Sequence, residues 1–194
     1  MIALENETLQ NLISDLNLTN DTLSDHLNHL AINESKHLRD LRINLKNALS
    51  FSNLTRKESL LIAFSVAVND RTKNLADSLE SLARAEGATE SELAEVRACV
   101  SLLNVNNVFY RFRHFTKKDY YQQTPAGIKM GIMINPILGK EFFELLSLAV
   151  SALNGCELCV NAHENSLLQL GTSEARVYDA VRCAAIFRGM TVLS

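Results

Sequence analysis

Cys156 and Cys159 are separated by two residues, and His163 follows the second cysteine by four. On a helix these positions fall at i, i+3 and i+7, so the three side chains project from one face. A thiol is a weak nucleophile until it loses its proton; only the thiolate reduces a peroxide or attacks a disulfide. A histidine one turn on can take that proton or stabilise the thiolate as a cation, and the positive end of a helix dipole assists a cysteine near a helix start. Glu144 stands upstream, inside the apolar run from Phe142 to Val150. An unpaired carboxylate is strongly unfavourable in such surroundings, which makes His163 its candidate partner. The carboxylate would then orient the imidazole and raise its basicity. Proximity to His163 favours Cys159 as the attacking sulfur, with Cys156 resolving it through an internal disulfide; Cys156 takes the attacking part if it is the more exposed thiol. Three readings compete: zinc held by the cysteines, histidine and glutamate; a pair of inert core thiols; and acid–base work by Glu144 and His163 on a carbonyl substrate.

These residues need a scaffold, and the composition says which kind. The chain has 194 residues, 47% of them hydrophobic, enough for a substantial core. With only 7 Gly and 2 Pro, and no sustained period-two alternation, an all-α protein is expected. A net charge of -3 gives no general attraction to nucleic acid, and the basic knot from Arg111 to Lys118 is too short for such a footprint. The start, Met1 to Glu7, is acidic where an export signal carries positive charge. The longest apolar stretch, Leu60 to Val68, falls far short of the roughly 20 residues that span a bilayer. A cytoplasmic protein with no membrane contact is expected. In a reducing compartment four cysteines are not a disulfide framework.

Along the chain, residues 1–52 read as three amphipathic helices, with His26, His29 and His37 on solvated faces. Residues 53–115 form a first helical repeat. Thr55–Glu58 and Thr89–Glu92 have the capping-box form, and Gly87 sits where a helix would end. Residues 116–138, with both prolines, are a linker, and residues 139–194 form a second helical repeat. Ser147-Leu148-Ala149-Val150 echoes Ser65-Val66-Ala67-Val68, while Gly171 answers Gly87 and Cys183 answers Cys99. The expected architecture is two related helical halves within a single compact domain. In the register of the Ser-x-Ala-Val match, the first half has Asn74, Asp77 and Ser81 where the second has Cys156, Cys159 and His163, and Ile62 opposite Glu144. The reactive set is therefore not a packing requirement of the unit. Cys99 and Cys183 read as core thiols. The stretch from Asn106 to Phe115 interleaves aromatic and basic residues; it reads as a helix end with rings packed inward and arginines snorkelling out, or else as an interaction surface or site wall.

Glu144, Cys156-Glu157-Leu158-Cys159 and His163 have the spacing of the active site in the alkyl hydroperoxide reductase AhpD family, and the chain resembles that family closely. The likeness extends through Asn106 to Phe115, Met130 to Pro136 and Phe143 to Ala185. It implies an all-helical fold shared with the carboxymuconolactone decarboxylases, usually assembled as a homotrimer, with no bound cofactor. It implies reduction of alkyl hydroperoxides and of an AhpC-type peroxiredoxin, with electrons from dihydrolipoamide on a lipoylated acyltransferase. In those roles Cys159 forms the sulfenic acid, Cys156 is proton donor and resolving thiol, and His163 and Glu144 form the proton relay. Some members carry a histidine between the cysteines, where this chain has Glu157 and Leu158. A relay through that histidine does not exist here, and a glutamate beside the thiols tends to raise their pKa. A metal-binding or structural helical module and a lactone decarboxylase are the alternatives.

Overall fold

The computed structural model describes residues 5–19 and 23–194, so Met1–Leu4, the first part of the start, lies outside the described residues. All regular structure among these residues is helical. The N-terminal segment forms α1 (Glu7–Asp15), α2 (Asp25–Ile32) and α3 (Lys36–Ala48). Asn6 and Ser24 cap the first two by accepting from the Leu9 and Leu27 amides. Then come α4 (Arg56–Asn69), α5 (Lys73–Ala85) and the long α6 (Glu90–Thr116). Both anticipated capping boxes are formed, Thr55 with Glu58 and Thr89 with Glu92. The linker is partly helical, with α7 (Asp119–Gln123) and a 3-10 turn at Gly131–Met133. The chain closes with α8 (Lys140–Leu153), α9 (Glu157–Gln169) and α10 (Glu174–Thr191).

Two helices form the centre. Every residue of α4 from Ser59 to Ala67 and of α8 from Phe142 to Ser151 is buried, as expected of helices apolar nearly all round. They pack on each other, and α6 and α10 each pack on both. The helices α5 and α9 fold back against α4 and α8, while α3 lies on α10. Leu9, Leu12 and Leu16 bring the N-terminal segment into the same core.

The boundaries recur at a fixed interval. Helix starts Arg56 and Lys140, Lys73 and Glu157, Glu90 and Glu174 are each 84 residues apart, and α4 and α8 are both 14 residues long, α5 and α9 both 13. The turns match too. Arg71 and Gly155 both take positive φ, +60° and +67°. The next amide in each turn, Thr72 or Cys156, donates to a carbonyl five residues back, Ala67 or Ser151. This corrects the register drawn from the Ser-x-Ala-Val match, which is two residues out. Small buried residues on two similar helices align in either register, but a two-residue slip turns a helix by about 200° and only the turns fix the choice. The structural counterparts of Glu144, Cys156, Cys159 and His163 are Leu60, Thr72, Leu75 and Leu79.

The expected direction of the aromatic stretch is also corrected. Phe112 and Phe115 are exposed, whereas Arg111 reaches inward to donate to the Asn154 carbonyl at 2.6 Å. The end of α6 runs past the core, so Phe112 and Phe115 have no interior to enter, while Phe109 and Tyr110 stay half-buried and the C-terminus of α8 offers the Arg111 guanidinium a carbonyl acceptor.

Candidate active site

The site assembles where the start of α9 meets the middle of α8. Cys156 is the N-cap residue of α9 and Cys159 lies in its first turn, so only the second cysteine is helical. The two are joined in a disulfide with Cα atoms 5.3 Å apart. Cys156 is fully buried, while Cys159 retains 6% exposure. One turn further along α9, His163 places Nδ1 2.7 Å from Oε2 of the buried Glu144. The other Glu144 oxygen lies 3.0 Å from the Lys140 ammonium, one turn earlier on α8.

Burial works against a charged Glu144, but the bonds from His163 and Lys140 outweigh it and hold the carboxyl below its ordinary value of 4.5. An ionised carboxylate only accepts, so Nδ1 carries the proton that it shares with Glu144. In the neutral ring Nε2 is then the basic nitrogen. This is the tautomer a base for the Cys159 thiol needs. Glu157 points elsewhere. Its exposed carboxylate lies 3.5 Å from Nε2 of His114 at the end of α6.

A cleft of about 350 Å³ opens onto Cys159 and His163. Its apolar wall comes from Leu158 and Ala162 on α9 and from Met130 and Met133 in the linker; Asn106 and Tyr110 of α6 complete it. The linker is pinned at its far end by buried Glu95, which accepts from the Ile137 and Leu138 amides at 2.8 and 2.6 Å. Lys140 donates to the Met133 carbonyl at 3.0 Å as well as pairing with Glu144.

A chain of amides holds the turn before Cys156. Asn104 donates to Asn69, Asn69 to Asn154, Asn154 to Asn107, and Asn107 to the Ser151 hydroxyl, at 2.8, 3.1, 2.9 and 2.9 Å. With Arg111 on the Asn154 carbonyl, the end of α8 is tied to both α4 and α6. Sequence reasoning missed this relay, because its members come from three helices. It also missed Lys140, although the i, i+4 spacing to Glu144 was a readable signal.

The remaining cysteines stand apart. Burial pushes the thiols of Cys99 and Cys183 up to about 12, and both are free. Among the described residues, no group of three or more His, Cys, Asp or Glu side chains has the geometry to hold a metal ion.

The sequence profile of the carboxymuconolactone decarboxylase family matches residues 120–194, the segment that carries the cysteines, the histidine and the glutamate. The alkyl hydroperoxide reductase AhpD of Coxiella burnetii (strain Dugway 5J108-111) is 38% identical over 161 residues, covering 81% of this chain and 90% of its own. The chain belongs to the AhpD family. The AhpD proteins of Anaeromyxobacter dehalogenans (strain 2CP-C) and Anaeromyxobacter sp. (strain K) are 38% and 37% identical over 154 residues, covering 79% of this chain and 82% of theirs. The all-helical architecture is that expected of an AhpD family member. No helix among the described residues is long and apolar enough to cross a membrane.

Proposed function

We propose that this protein reduces alkyl hydroperoxides by cycling Cys156 and Cys159 between dithiol and disulfide. The observation that carries the reading is the opening of the cleft onto Cys159, beside a His163 whose Nδ1 is held by an ionised Glu144. In the reduced protein Nε2 of His163 takes the Cys159 proton. The thiolate attacks the terminal oxygen of the hydroperoxide, the O–O bond breaks, and the alkoxide leaves as the alcohol after taking a proton. The sulfenic acid on Cys159 is then attacked by the Cys156 sulfur, forming the disulfide and releasing water. Burial of Cys156 and the slight exposure of Cys159 support this division of labour.

The cycle needs a dithiol to restore the pair. We assign that part to dihydrolipoamide on a lipoylated acyltransferase, and assign an AhpC-type peroxiredoxin as a second disulfide substrate, in a cytoplasmic setting that keeps such reductants reduced. A strip of exposed apolar residues on α6, Val105, Val108 and Phe112, supports a homo-oligomer, with a trimer as the assembly.

The test is mass spectrometry of the tryptic peptide Glu141–Arg176 from reduced protein, before and after one equivalent of cumene hydroperoxide. Loss of two hydrogens is expected in the parent protein, and Cys159→Ser should consume peroxide slower by on the order of 10³-fold. A Cys156→Ser, Cys159→Ser protein that still consumes peroxide at the parent rate overturns the reading. The carboxymuconolactone decarboxylase match would then favour acid–base chemistry by Glu144 and His163.

A further inference from the structure

One wall residue of the cleft is polar and not used above. Asn106 on α6 is 95% buried by its 5% exposure, lies in the wall with Cys159 and His163, and has an oxygen, Oδ1, with no hydrogen-bond partner among the described residues. Its Nδ2 donates to the Met130 sulfur at 3.2 Å, a weak acceptor. The next residue, Asn107, is a control within the same helix turn: it points into the amide relay, where its oxygen accepts from Asn154 and its nitrogen donates to Ser151. A buried carbonyl oxygen without a donor is unfavourable, so it is an uncommon feature of a folded protein.

We infer that Asn106 orients the substrate, accepting a hydrogen bond from the terminal O–H of a hydroperoxide whose apolar body lies against Met130, Met133 and Leu158. The inference rests on the function proposed above. It also narrows the substrate class. A cleft of this volume with a largely apolar wall takes a medium-sized alkyl or aryl-alkyl group, and the O–H is the donor that every hydroperoxide carries. Held by that bond, the terminal oxygen faces the Cys159 sulfur and the alkoxide leaves toward the apolar end.

The test compares two oxidants of the same thiol by stopped flow in reduced full-length protein. Cumene hydroperoxide has the O–H donor; 4,4′-dithiodipyridine does not. Asn106→Leu, close in shape and without an acceptor, should lower the ratio of the two rate constants about tenfold, the upper range for a lost hydrogen bond. Asn106→Ala carries the same comparison if the leucine variant melts below the assay temperature. An unchanged ratio, whether both rates hold or both fall, overturns the inference and leaves Asn106 a structural residue. A parent protein that dithiodipyridine oxidises but cumene hydroperoxide does not would remove the proposed function and this inference together. A parent that reacts with both, with an unchanged ratio in the variants, removes this inference alone.

Discussion

The α4–turn–α5 segment and the α8–turn–α9 segment have the same helix lengths and the same turn, yet the residues that meet between their helices differ completely in chemistry. In the first, Leu60, Leu75 and Leu79 are 1%, 1% and 0% exposed and simply join the core. In the second, Glu144, Cys159 and His163 take those positions at 3%, 6% and 8%. The scaffold is therefore satisfied by leucines, and the buried carboxylate with its imidazole partner is present in spite of its desolvation penalty. The support of the turn differs in parallel. Asp70, which ends α4, is held by Thr191 and Arg188 of α10. Asn154, which ends α8, is held by Asn107 and Arg111 of α6. Thr191 and Asn107 are themselves 84 residues apart, so the same positions on α10 and α6 serve opposite turns.

The strongest way to break this comparison is to write the first segment's residues into the second. In Glu144→Leu, His163→Leu, peroxide reduction should fall about 10²–10⁴-fold, the usual range for losing a positioned base. Stability should hold or rise by about 1–3 kcal/mol, since replacing a buried charged group and its polar partner together with apolar residues is often neutral or stabilising. His163→Leu alone leaves Glu144 with only Lys140 and should lower stability by about 3 kcal/mol. Urea melts of the three proteins decide it. A double variant less stable than the single one would mean the pair supports the fold as well as the chemistry.

Next in size is the amide relay. Asn154→Ala removes a donor and an acceptor from a partly buried chain and should cost about 1 kcal/mol, read as a shift in the urea midpoint without a change of slope. Slower disulfide formation at one equivalent of peroxide should accompany it, because Asn154 fixes the turn into Cys156. Equal stability with unchanged kinetics would remove the relay from any part in positioning the dithiol.

In their pH response the two segments are alike, and one substitution isolates the second segment's share. Glu144 has its carboxyl held low in the folded state, against burial, by His163 and Lys140. Glu58 is held low in the same way, by Arg176 and Thr55. A carboxyl depressed on folding contributes stability that is present above its unfolded value near 4.5 and is lost as pH falls through the folded value. Glu144→Gln keeps the shape and removes that titration. Its melting temperature should therefore fall less steeply than the parent's from about pH 6 to about pH 3, while the Glu58 contribution remains in both. Parallel curves would contradict the ionised state assigned to Glu144.

How much of this was legible follows from how far apart in sequence each feature lies. The capping boxes at Thr55 and Thr89 are four-residue signals and appear as read. Cys156, Cys159 and His163 fall within two helical turns, and Glu144 was found because a lone carboxylate in an apolar run needs a partner. The relay was not legible, since Asn69 and Asn154 meet across 85 residues and asparagine carries no signal of where it will point. The cleft was legible only in part: the stretch from Asn106 to Phe115 was open to reading as a site wall, and Asn106 and Tyr110 take that part, but nothing local in the sequence joined them to Met130 and Met133 of the linker or to α9. The mistaken register arose from residues that look alike on any buried helix. Turn geometry resolves it.

The smallest expected effect tests that geometry itself. Both turns need a residue at positive φ, which side chains other than glycine adopt at a penalty of roughly 1 kcal/mol. The first turn places Arg71 there and the second Gly155. A Cβ built on Gly155 meets nothing within 4 Å, so sterics around the turn do not demand glycine. Gly155→Ala should therefore cost about 1 kcal/mol and no more, and Arg71→Gly should gain less than that, because glycine frees the unfolded chain. If Gly155→Ala slows thiol oxidation more than its stability loss accounts for, the second turn must flex during disulfide formation. If it does not, the two turns are equivalent supports, and the difference between the halves lies in the side chains that replaced three leucines and a threonine.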